Sequence, residues 1–165
     1  MTQENKDAKY YTNSGIDKTN KEDFEGALKD FNKSLELNPN WALTYFSKAI
    51  VFHKQLKFEE AYENYSEAIN KDNNMIDAYY NRAHILLADE KHLNEINLNK
   101  ALGDLEQSIE LDDKFVDAYY YLAVVKMKLK KYADSVSVLD KLIRIEPDAI
   151  HAKALKKLLL QKYLK

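Results

Sequence analysis

Residues 76–80 read IDAYY and residues 116–120 read VDAYY. Two nearly identical stretches lying 40 residues apart in a chain of 165 point to a repeat array. A step of 34 residues toward the N-terminus from IDAYY reaches ALTYF at 42–46, and a further 34 reaches AKYYT at 8–12. Each of the four starting points is followed by the same pattern. A tyrosine stands at the fourth place (Tyr11, Tyr45, Tyr79, Tyr119), and a small residue follows four places later (Gly15, Ala49, Ala83, Ala123).

A second block follows in each unit. It reads Phe24, Ala27, Phe31, Ser34, Leu35 in the first and Phe58, Ala61, Tyr65, Ala68, Ile69 in the second. The third has Leu98, Ala101, Leu105, Ser108, Ile109, and the fourth has Tyr132, Ser135, Leu139, Leu142, Ile143. Steps of three and four put these side chains on one face of a helix. Pro39 and Pro147 close the first and fourth blocks, where a helix must stop. Each unit is therefore expected to be two amphipathic helices joined by a short turn. The small residue lets the paired helices approach, and stacking of neighbouring pairs buries the apolar stripes in one core.

This pattern closely resembles the tetratricopeptide repeat family. That family has a 34-residue period, a bulky aromatic at the fourth place and glycine or alanine at the eighth. Alanine follows at the twentieth place, an aromatic at the twenty-fourth, alanine at the twenty-seventh and proline at the thirty-second. The resemblance covers residues 8–149 as four repeats, 8–41, 42–75, 76–115 and 116–149. A polar tail, 1–7, precedes them and a C-terminal capping helix, 150–165, follows. It implies an all-α, right-handed superhelical solenoid. The departures are tyrosine in place of the usual tryptophan, Ser34 and Ser108 for alanine, and Asn73 and Asp113 for proline. The third repeat is also six residues longer than the others. Those residues fall within ADEKHLNEINLN, either as an extended turn or lengthened helices, or as a protrusion that meets a partner.

Composition agrees with long helices. Only 3 Gly and 2 Pro are present, while 45% hydrophobic and 32% charged residues suit a soluble chain with a core. There is no cysteine, which excludes disulfides, cysteine-based zinc sites and thiol catalysis. The polar start, MTQENKDAKYYTN, shows no signal peptide, and no apolar run approaches the ~20 residues that span a bilayer. The expected location is the cytoplasm. The net charge of -2 hides an asymmetry. Residues 116–165 carry 11 Lys+Arg against 5 Asp+Glu, and residues 1–115 carry 14 against 22.

No catalytic arrangement is visible, and an enzyme is not expected. His53, His84, His92 and His151 show no HExxH spacing, and no glycine-rich phosphate loop exists. KDNNMIDAYYN lacks the glycine and the terminal glutamate of a calcium loop. No cofactor and no metal site are expected. The lysines of KMKLKKY (126–132) accompany no base-reading motif, so nucleic acid is not an expected partner.

A further stripe runs along the first helix of each pair. It reads Leu43, Phe46, Ile50, His53, then Asp77, Tyr80, His84, Leu87, then Asp117, Tyr120, Val124, Met127, with Asn81 and Tyr121 alongside. The resemblance implies that this stripe faces a concave groove, where Phe46, Tyr80 and Tyr120 would form a ladder of aromatics for a peptide or helix of a partner. The other reading is that the stripe packs neighbouring first helices or the C-terminal helix.

The family's carboxylate clamp for chaperone tails needs lysine, asparagine and arginine at set places. Those places hold Thr12, Ile16, Ser47, Asp77 and Asn81. One repeat further on they hold Phe46, Ile50, Asn81, Asp117 and Tyr121. Only Asn81 fits, and the aspartates have the wrong sign, so a chaperone C-terminal carboxylate is not the expected ligand. Asp77 and Asp117 favour lysine, arginine or a free amine instead.

DAIHAKALKKLLLQKYLK (148–165) predicts a last helix with Asp148 as N-cap and Ile150, Leu155, Leu158 and Leu159 as its apolar face. Five lysines make the other face. It reads as a cap on the array or as a membrane-surface element, and the cap is favoured because solenoids need a polar-backed end. Two functions remain. One is a non-catalytic protein-binding scaffold. The other is a self-assembling module whose acidic N-terminal part meets the basic C-terminal part of another copy.

Overall fold

The computed structural model describes residues 7–164, and among these it contains nine α-helices and no strand. The helices are α1 Ala8–Asn20, α2 Phe24–Leu37, α3 Ala42–Lys54, α4 Phe58–Lys71, α5 Ile76–Ala88, α6 Glu95–Leu111, α7 Val116–Lys128, α8 Tyr132–Ile145 and α9 Ile150–Lys162. The expected polar tail lies outside the described residues except for Asp7. That residue is part of the fold, because its carboxylate caps α1 by accepting the Tyr10 amide at 2.8 Å.

The chain divides into two compact units, Met1–Ala78 and Tyr79–Lys165. In the first, α1 packs on α2, α3 on α4, and α3 also on α1 and α2. Phe31, Ala27 and Val51 are fully buried there with Ile16, Phe24 and Leu28 against them. Gly15 belongs to this contact. A Cβ at that position would lie 2.7 Å from Cδ1 and 2.9 Å from Cζ of Phe31, so the large ring of α2 requires glycine on α1. Three hydroxyls link three helices nearby. Thr12 Oγ1 lies 2.8 Å from Ser34 Oγ and 2.7 Å from Thr44 Oγ1, and Ser34 donates to the Ala8 carbonyl at 2.9 Å. Serine at a place where the family uses alanine is thus satisfied by two threonines, as a buried hydroxyl must be.

In the second unit one core runs through all its helices. Ala83, Leu105, Ala123, Leu139 and Leu142 are at its centre, and Ala152 and Leu159 of α9 belong to the same cluster. The last helix therefore buries a face made by Ala152, Leu155 and Leu159, steps of three and four. This corrects two expectations. Ile150 is 76% exposed and Leu158 is 49% exposed, because they lie about half a turn and a quarter turn away from that face. Asp148 does not cap α9 either. The cap position is Ala149, without a side-chain hydrogen bond.

The repeated turns have their own chemistry. Glu22, Leu56 and Lys130 have φ of 62, 58 and 60° at equivalent places between paired helices. The next amide in each case bonds back to a helical carbonyl at 2.9 Å: Asp23 to Lys18, Lys57 to Phe52 and Lys131 to Lys126. That is the left-handed C-terminal cap, made here without glycine. Between repeats, Asn38, Asp72 and Asp112 each accept the backbone amide two residues on, at 3.0–3.1 Å. This side-chain turn takes the place of proline where Asn73 and Asp113 stand. Trp41, half-buried, occupies the N-cap position of α3 without a side-chain bond.

The six extra residues of the third repeat divide evenly. Helix α5 keeps 13 residues, while α6 has 17 against the 14 of α2, α4 and α8. The remaining three lengthen the loop 89–94, which closes on itself. Asp89 meets His92 at 2.7 Å, and the Asn94 and Asn97 amides bond the His92 carbonyl at 3.0 and 2.9 Å.

Candidate functional site

Helices α5 and α7 carry the aromatic stripe of the second unit. Tyr80 and His84 are four residues apart on α5, so their rings share a face and lie 6.3 Å apart. On α7, Tyr120 and Tyr121 meet edge to face at 5.8 Å. The two helices join through Tyr121, whose ring lies 5.9 Å from Tyr80 and 5.2 Å from His84, edge-on to both. Phe115, from the turn before α7, tilts against Tyr80 at 4.9 Å. All four stripe rings are half-buried, as are Asn81 and Val124, while Asp117 is exposed. Edge-to-face geometry of this kind contributes about 0.5–1.5 kcal/mol per pair beyond area burial.

The rings pack against each other between first helices, and each keeps an exposed portion. Tyr80 and Tyr120 are linked through Tyr121 rather than forming a direct ladder. Phe115 was missed because it stands in a turn, outside the helical spacing that revealed the others.

In the first unit the predicted residues are more dispersed. Phe46 tilts against buried Tyr65 of α4 at 5.7 Å, and His53 sits 6.3 Å from Phe58. Phe46, Ile50 and His53 are half-buried, and Asp77 is exposed at the start of α5.

Electrostatics set the protonation of the α5–α7 face. Burial, then the Asp117 charge and Tyr121, push the Tyr80 phenol up to about 12, so it remains a hydrogen-bond donor at neutral pH. Burial lowers His84, which favours the neutral imidazole.

Beside Tyr120 lies a cavity of about 500 Å³ that the sequence did not reveal. Buried Leu142 and Ala152 form its floor, with Val116 and Ala149 beside them. Three exposed carboxylates, Asp117, Glu146 and Asp148, line it together with His151. The signal was diluted because these acids come from α7 and from the turn after α8, some 30 residues apart.

The tetratricopeptide repeat model matches residues 8–40, and the Fis1 C-terminal tetratricopeptide repeat model matches residues 116–165. An uncharacterised protein of Methanocaldococcus jannaschii is 35% identical over 81 residues, which cover 49% of this chain and 94% of that protein. Among solved structures, the MamA protein superposes with a TM-score of 0.83 at 23% identity, covering 93% of this chain and 81% of that one. PilF of Pseudomonas aeruginosa gives 0.75 at 20% identity, over 94% of this chain and 68% of that one. The first tetratricopeptide repeat domain of Spaghetti (RPAP3), solved with the HSP90 peptide SRMEEVD, gives 0.67 at 19% identity, over 75% of this chain and 94% of that one. At these identities the structural likenesses speak for the fold. Repeat spacing, paired helices, family models and superpositions agree, and the chain belongs to the tetratricopeptide repeat family.

Proposed function

We propose that this protein is a non-catalytic interaction scaffold that takes a peptide segment or helix of a partner protein on the α5–α7 face. Tyr80, Asn81, His84, Asp117, Tyr120, Tyr121 and Val124 are its contact residues there, and Phe46, Ile50, His53 and Asp77 serve the same purpose in the first unit. The observation that carries the reading is the continuous patch of half-exposed rings beside an acid-lined cavity. Rings already held in place lose little entropy on contact, and they combine apolar area with polar edges. The carboxylates select a ligand bearing lysine, arginine or an amine next to apolar side chains. By the same sign they disfavour an acidic tail of the kind bound by the RPAP3 domain.

A labelled synthetic peptide alternating leucine and lysine serves as the probe, with a leucine–glutamate peptide as control. Fluorescence anisotropy should show preference for the lysine peptide. Tyr80→Ala with Tyr120→Ala should weaken binding by about 30-fold or more, the loss of a hot spot worth ~2 kcal/mol. Asp117→Lys, on an exposed residue, should weaken it without altering helicity by circular dichroism. Equal affinity for both peptides, or no change in either variant, would refute the reading.

A further inference from the structure

The outer side of α9 and the outer side of α4 have opposite chemistry. Between α8 and α9 lies an open hollow of about 500 Å³, floored by Ile143 and Leu160 and walled by Lys153, Lys156 and Lys157. Lys156 is engaged by Asp140 at 2.5 Å. Among the described residues Lys153 and Lys157, both exposed, form no ion pair, and Leu160 is 43% exposed. An apolar floor with two unneutralised ammonium groups at its edge suits an acidic surface that also offers an apolar ring.

Helix α4 presents such a surface in the other unit. Glu60, Glu63 and Glu67 are exposed at steps of three and four, and among the described residues none of them forms an ion pair. Beside Glu63 and Glu67 lies a shallow hollow of about 370 Å³ lined by Tyr62 and Ser66. The spacings match as well as the signs. Lys153 and Lys157 are four residues apart, and so are Glu63 and Glu67, which places each pair about 6 Å apart along its helix.

We infer that α9 of one copy docks on α4 of a second copy, with Lys153 and Lys157 against Glu63 and Glu67 and Leu160 against the Tyr62 hollow. A second copy is the occupant because acid and base are segregated along the chain. Residues 1–115 have an excess of eight acids and residues 116–165 an excess of six bases. Each copy thus offers both faces in equal number, and the two faces differ, so the contact is heterologous. The α5–α7 face takes no part, which makes this contact independent of the proposed ligand site.

Sedimentation velocity of the full chain tests it at about 0.01 M salt, where charges are felt over ~30 Å, and at about 1 M, where screening cuts this to ~3 Å. The wild type should sediment faster as its concentration rises at low salt and as a monomer at high salt. Lys153→Glu with Lys157→Glu should lower the association constant at least tenfold, and so should Glu63→Lys with Glu67→Lys. An equimolar mixture of the two reversed chains should associate again, since each then offers what the other lacks. Tyr80→Ala with Tyr120→Ala should leave association unchanged. Circular dichroism verifies that each variant is folded. A wild type monomeric at low salt, reversed chains that associate like the wild type, or a mixture that stays monomeric would each overturn the inference. So would a wild type that remains monomeric and binds a polyglutamate peptide, which would assign the α9 face to an acidic partner.

Discussion

Gly15 and Gly103 both lie inside helices, yet their surroundings call for opposite outcomes on replacement. A Cβ at Gly103 meets nothing within 4 Å, so Gly103→Ala should gain the helix preference of alanine, about 0.5–1 kcal/mol. A Cβ at Gly15 would strike the buried Phe31 ring, and overpacking of about 1–3 kcal/mol should outweigh the same gain. Urea unfolding of the two variants distinguishes the cases: the midpoint should rise for Gly103→Ala and fall for Gly15→Ala. The eighth-place pattern already marked Gly15 as a point of close approach. Gly103 lies outside every repeated place, and only the exposed side of α6 explains why glycine is tolerated there.

Paired helices meet through equivalent places in the first, third and fourth repeats, the seventh and the twenty-third (the twenty-ninth in the longer third repeat), with a different chemistry each time. Between α1 and α2, Ser14 donates to Asp30 at 2.6 Å, and Lys18 reaches the same carboxylate at 2.6 Å. Lys48 of α3 turns instead to Asn32 of α2, at 3.0 Å. Arg82 of α5 grips Asp104 of α6 with two bonds, 2.9 and 2.7 Å, and burial pushes that carboxyl up against the pull of the guanidinium. Between α7 and α8 the places hold Leu122 and Val138, both in the core. The last pair shows what the third can accept. Asp104→Val alone leaves a partly buried guanidinium without its carboxylate and should cost about 3 kcal/mol. Arg82→Leu with Asp104→Val should recover most of that loss, as chemical denaturation of the single and double variants would show. The sequence displayed these residues but not their pairing, because three different chemistries hide a shared position.

At the scale of the whole molecule, stability should decline toward both ends of the pH range. His84 is lowered by burial, so its contribution is present above the unfolded value of about 6.5 and is lost as pH falls through the folded value. Asp30 acts further down. Burial alone would raise it, but the hydrogen bonds from Lys18 and Ser14 hold it below its ordinary value, so its share goes last on acidification. On the alkaline side Tyr80, raised to about 12, stabilises below the unfolded value of about 10, and this is lost as pH climbs toward 12. Denaturant midpoints measured across pH should thus decline below about 6.5 and again as pH climbs toward 12, and His84→Gln should flatten the first acidic decline.

The repeat period and the all-helical architecture were legible from residues 8–149 because packing demands the same small and large side chains once per hairpin. Less legible was whatever depended on a single residue's angle around its helix, such as the outward turn of Ile150 and Leu158. Groups contributed by separate turns, as in the cavity beside Tyr120, were equally hidden. Trp41, at the entrance to α3, is the chain's single tryptophan. Selective excitation of its indole therefore reports on the first unit alone, which gives the molecule a native optical label for one half and leaves the other half dark.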